Sequence, residues 1–179
     1  ASPKTYTGLS DASHTFQVRA KDPAGNIDLT PATYTWTVDT IPPETYIDSH
    51  PNDPTNSDSA EFTFSCNEAW CEFECNLDSA GWEPCNSPTN YALLLATTHI
   101  FQVRATDLVG HIDLSPASFT WTIDQTPPDT LITYGPYNPT ILTGATFAFE
   151  CTGGPCAFEC KLDSGSWEIP SVAADASLD

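Results

Sequence analysis

The chain has 179 residues, 40% hydrophobic and 11% aromatic, enough apolar matter for one large core or two small ones. Its 24 Asp and Glu against 5 Lys and Arg give a formal net charge of -19, which argues against nucleic acid and anionic membranes, since both need a basic surface. No apolar run reaches the roughly 18 residues of a membrane-spanning helix, and 7 Cys in so short a chain point to an oxidising, extracellular setting rather than to an intracellular enzyme.

With 16 Pro, no Met and no sustained 3.6-residue apolar period, the chain reads as all-β. In chain order, strands are expected over 44–49, 59–66, 71–77, 82–85, 90–95, 98–106 and 117–124. The clearest carry strict apolar–polar alternation, as in Glu61-Phe62-Thr63-Phe64 and Ser118-Phe119-Thr120-Trp121-Thr122-Ile123. Turn residues separate them: Asp22-Pro23-Ala24-Gly25-Asn26, Asn52-Asp53-Pro54 and Asp78-Ser79-Ala80-Gly81. No leader pattern opens the chain, so any secretory leader is expected to have been removed.

The sequence repeats itself. Phe16-Gln17-Val18-Arg19-Ala20 returns as Phe101-Gln102-Val103-Arg104-Ala105, and Thr35-Trp36-Thr37-Val38-Asp39 as Thr120-Trp121-Thr122-Ile123-Asp124. Cys66, Cys71 and Cys75 return as Cys151, Cys156 and Cys160; every such pair is 85 apart. About half of the aligned positions are identical, so the chain is an array of one unit.

The recurring phrases S-P-x-x-Y, H-x-F-Q-V-R-A-x-D-x-x-G-x-I-D-x-x-P-A, T-W-T-[VI]-D-x-x-P-P and F-E-C-x-L-D resemble the bacterial immunoglobulin-like, fibronectin-III-like repeats of large secreted and surface proteins. The resemblance covers residues 1 to about 168 and implies tandem disulfide-stapled β-sandwiches of about 85 residues. It implies little about function, because such modules serve as spacers, adhesins and assembly units alike.

Residues 40–125 hold one complete unit. Residues 1–39 hold only the last three strands of a unit, and 126–168 only the first four of another; 169–179 diverge from the repeat. Each part-unit is expected to expose an apolar face and unpaired strand edges. Two explanations stay open: an arbitrary slice of a longer repeat protein, such as the stalk of a surface adhesin, or completion of one chain's C-terminal half by another chain's N-terminal half. The second makes a head-to-tail homopolymer, an extended form of donor-strand pairing. Its contact residues are expected to be Phe16, Val18, Tyr34, Trp36 and Val38 against Phe147, Phe149, Phe158 and Leu162. The divergent tail favours it, because a regular array continues with the motif seen at Asn86-Ser87-Pro88.

Cys66–Cys71 is expected across a short turn and Cys75–Cys85 across a hairpin centred on Ala80, with the two cysteines directly opposed. Cys151–Cys156 follows by repetition. Cys160 is left without a local partner, because Pro170 stands where Cys85 does. The spacing lacks the C-x2-C of zinc sites. Asp22, Asp28, Asp107 and Asp113, with His111 between the last two, and Asp39 and Asp124 before the Pro-Pro linkers are weak calcium candidates. The competing reading gives Asp22 and Asp107 to Asx turns and the rest to solvating charge.

Trp36 and Trp121 belong to a core face, Trp70 to a turn where no core needs it. Arg19 and Arg104 are expected to pair with Glu74 or Glu159 across strands. The His residues repeat with the scaffold or stand alone, and no G-x-S-x-G, H-E-x-x-H or phosphate loop is present, so no enzyme is expected. No cofactor, nucleic-acid partner or membrane insertion is implied. A cell-surface or carbohydrate ligand remains unnamed by the sequence.

Overall fold

The computed structural model describes residues 3–170. Among them every regular element is a strand: β1 (Ala12–Val18), β2 (Ala32–Val38), β3 (Thr45–Ser49), β4 (Ala60–Cys66), β5 (Glu72–Leu77), β6 (Glu83–Cys85), β7 (Thr89–Tyr91), β8 (Thr98–Thr106), β9 (Ala117–Thr122), β10 (Asp129–Tyr134) and β11 (Ala148–Thr152). No helix among them is long and apolar enough to cross a membrane. The chain divides into two units, Ala1–Asp124 and Gln125–Asp179.

In the first unit, strands β3 to β9 form a closed two-sheet body. One sheet runs β3-β4-β7 and the other β6-β5-β8-β9. Period-2 alternation decides which side chains go inside. Phe62 and Phe64 of β4 point inward between exposed or half-buried neighbours, as do His99, Phe101, Val103 and Ala105 of β8. Phe62, Phe101, Val103 and Trp121 are fully buried. Phe62 stacks on Phe101 at 4.0 Å and meets Trp121 edge-on at 5.3 Å, which joins the two sheets. Burying each such side chain contributes about 1.5–3 kcal/mol, and aromatic pairs add about 1 kcal/mol.

Two disulfides staple this body, Cys66–Cys71 and Cys75–Cys85. The second does not join directly opposed residues. Phe73 faces Cys85 and Cys75 faces Glu83, so the cysteines bond diagonally along the β5–β6 hairpin. The turn lies at Asp78-Ser79, both with positive φ, rather than at Ala80, which moves the register by two and keeps both cysteines on one face. The expected strand over 90–95 shrinks to β7. Leu93 takes φ 59°, which ends the ladder after Tyr91, and Leu93 and Leu95 face solvent.

Residues 12–38 form a two-stranded hairpin, β1 on β2, pairing Phe16 with Tyr34 and His14 with Trp36. The expected third strand of this part is absent. In the complete body the matching strand β7 pairs only with β4, and this part of the chain contains no equivalent of β4. A strand without a ladder partner leaves its backbone to water and stays irregular.

The second unit is a short pair, β10 on β11, with the Cys151–Cys156 disulfide beside it. Of the two further strands expected over this part, only the isolated bridge Cys160–Glu168 remains. The cause is the same: the equivalent strand β5 is held chiefly by β8, whose counterpart is in the first unit. The divergent tail lies outside the described residues beyond 170.

Candidate functional site

The hairpin's side chains alternate, so Phe16 and Val18 on β1 and Tyr34, Trp36 and Val38 on β2 share one face. Val18 is 53% and Tyr34 68% exposed, with Phe16, Trp36 and Val38 half-buried. Tyr6 lies edge-on to Phe16 at 6.0 Å, and Tyr6, Phe16, Tyr34 and Trp36 with Lys4 line an open depression of about 410 Å³. The structure therefore gathers all five expected contact residues of this part on one surface.

In the second unit, Phe149 packs edge-on against Phe158 at 4.8 Å. Phe147, Phe149, Phe158 and Leu162, with Thr130 and Ile132, line an apolar groove of about 360 Å³. Phe147 is 47% and Leu162 75% exposed. The four expected contact residues of this part thus surround one groove.

The closed body holds sequence counterparts of residues on both surfaces. Eighty-five residues from Phe16, Val18, Trp36 and Phe147 stand Phe101, Val103, Trp121 and Phe62, all fully buried. Polar partners follow the same division. Arg104 donates to Glu74 through Nε at 2.9 Å and lies over the Trp82 ring at 4.3 Å. The counterparts are Arg19 in the first unit and Glu159 and Trp167 in the second. Buried His99 bonds Asp78 through Nδ1 at 2.7 Å and the Leu95 carbonyl through Nε2 at 2.9 Å. Burial opposes its charge, but the Asp78 carboxylate and the Leu95 carbonyl outweigh that and raise its pKa. His14 repeats half of this arrangement: it lies on Trp36, and its Nε2 bonds the Ser10 carbonyl at 2.8 Å. The counterpart of Asp78 is Asp163, in the same left-handed conformation at φ 50°.

Most of the calcium candidates are committed to the fold. Asp22 accepts the Asn26 backbone and side-chain N–H groups, and Asp107 accepts the backbone N–H groups of Val109, Gly110 and His111. Asp28 accepts from Thr30, and buried Asp113 from Ser115 and the Thr45 backbone. Burial opposes the Asp113 charge, but its Thr45 and Ser115 donors outweigh it and lower the pKa. Asp124 donates its backbone N–H to the Thr55 carbonyl. Among the described residues one mixed group with metal-ligand spacing exists, Asp39, Asp107 and His111. Trp70 is 72% exposed in the turn closed by Cys66–Cys71, and Cys160 is free.

Sequence reasoning found both apolar faces from their alternation. It missed Trp82 beneath Arg104 and the His99–Asp78 pair, although both partners of each recur 85 residues away. No protein-family model matches the chain, and a search of curated proteins finds no similar one.

Proposed function

We propose that this chain is a structural, non-catalytic protein of the extracellular space, built of immunoglobulin-like units that copies share. The hairpin of one copy seats on the groove of the next, in the register that β8 adopts against β5, with the counterpart of β4 facing it from the other sheet. The contact is heterologous, so repetition yields a head-to-tail filament. One observation carries the reading: residues whose counterparts form the buried core of the complete body are exposed or only half-buried, one part of the set on each unit. Joining them removes apolar area from water, pairs open strand edges and brings Arg19 to Glu159 and His14 to Asp163. High negative charge keeps such a polymer soluble, and the disulfides fit an oxidising compartment.

The free Cys160 favours a second reading, a stalk segment of a larger surface adhesin in which flanking sequence supplies the missing strands. The same residue provides the test. Cys75 faces Val103 on the β5–β8 ladder, so Cys160 of one copy is expected to face Val18 of another. Val18→Cys under mild oxidation is predicted to give a covalent ladder of multimers, reversed by reductant. Gln17→Cys, on the opposite face, gives none. Equal cross-linking by both variants, or by neither, contradicts shared units.

A further inference from the structure

The turns at Asp22 and Asp107 are built alike. In each, the aspartate Oδ1 accepts the backbone N–H four residues on, at 2.8 Å. In each, Oδ2 accepts a side-chain N–H from that same residue at 2.8 Å, Asn26 Nδ2 in one turn and His111 Nδ1 in the other. The asparagine does this structural work fully, so the turn does not require an imidazole. The surroundings differ. At the second turn the Asp39 carboxylate, at the end of β2, comes within 4.8 Å of ligand atoms of both Asp107 and His111. Glu68 stands nearby: desolvation, then the charges of Asp39 and Asp107, hold its carboxyl above the usual range. Its counterpart 85 residues on is Gly153, in the second unit. The histidine thus stands in place of an adequate asparagine at a turn where further carboxylates converge.

We propose that Asp39, Asp107 and His111 form a binding site for a divalent transition-metal ion of the zinc class. A tautomeric shift moves the imidazole proton from Nδ1 to Nε2, which frees the Nδ1 lone pair for the metal. The ion then replaces the His111–Asp107 hydrogen bond with two metal–ligand bonds, and Asp39 supplies the third. Zinc takes such nitrogen and carboxylate ligands at about 2.0–2.2 Å, which sets them about 3.3 Å apart in a tetrahedral site, so the 2.8 Å His111–Asp107 pair opens slightly and Asp39, within 4.8 Å, closes in. Calcium fits poorly. It needs six to eight oxygens, whereas Asp107 Oδ1 already accepts three backbone N–H groups. A dication also offsets the repulsion among the carboxylates. Bound there, it fastens the end of β2 and the linker at Thr40 to the loop between β8 and β9.

The test is calorimetric titration of the full chain with zinc chloride, beside His111→Asn and Asp39→Asn. Asn26 shows that an asparagine maintains this turn, so His111→Asn is expected to melt with the wild type in chelator. Wild type is predicted to bind one equivalent saturably. Each variant should weaken binding at least about 30-fold, since even the outer partners of a metal account for 10–100-fold. Chelator should lower the melting temperature of the wild type and leave that of His111→Asn unchanged. Zinc binding equal in wild type and His111→Asn, only unsaturable binding to the acidic surface, binding lost in Cys160→Ser instead, or displacement by equimolar calcium each overturns the proposal.

Discussion

Truncating Phe147 to alanine separates assembly from folding. Phe147 is 47% exposed on the groove, whereas its counterpart Phe62 is fully buried. A phenylalanine buries about 200 Å² when fully enclosed. Completing the unit should therefore remove a further area of about 90 Å² from water, worth about 2.3 kcal/mol at ~25 cal/mol/Å². At about 1.4 kcal/mol per tenfold, Phe147→Ala should weaken association about 40-fold. Phe62→Ala should instead destabilise the closed body by about 3–5 kcal/mol. Sedimentation of each variant across a concentration series, with thermal melting beside it, reads both quantities. Phe147→Ala is expected to shift the mass–concentration curve and leave the melt of the closed body in place. An unchanged curve would refute the reasoning, as would loss of the body's melt.

Other expectations concern the closed body itself. The folded pKa of His99 is raised, so the stability from its Asp78 pair is complete below the unfolded value of about 6.5 and is lost as pH rises through the folded value. Melting of wild type minus Asp78→Asn between pH 5 and pH 9 checks this, and a difference that grows with pH contradicts it. Replacing Cys75 and Cys85 by serine reopens a loop of separation 10 and should cost about 2–3 kcal/mol in denaturant unfolding. Arg104→Ala should cost about 1 kcal/mol, more than a bare surface ion pair, because the guanidinium also covers Trp82. Arg104→Lys, keeping charge but not the flat stack, should recover less than half of it.

Local pattern made the strands legible wherever a partner strand follows in the same sheet. Alternation fixed β4, β8 and β9 almost to their ends and told Phe101 from Gln102. It failed where strand formation depends on a neighbour rather than on the segment. The residues around Tyr6 repeat those around Tyr91, yet one stretch is irregular and the other is β7, because only the second has β4 beside it. The hairpin register failed by two residues because Asp78 and Ser79 take the tight positions of the turn, so it is not centred on Ala80. Leu93 at φ 59° stands where Gly8 has φ 69°; the glycine marks a bend that the leucine conceals. The polar constellations were hidden by distance along the chain. Asp78 reaches His99, Glu74 reaches Arg104 and Asp39 reaches Asp107 only once the strands between them are folded.

The central claim is that copies complete one another, and imaging the purified chain by negative-stain electron microscopy after a light-scattering mass tests it most directly. Shared units predict a mass that grows with concentration from the 19.4 kDa chain, and fibres of uniform width. A mass that stays at one chain at every concentration, with two protease-labile arms flanking a resistant body, would contradict it.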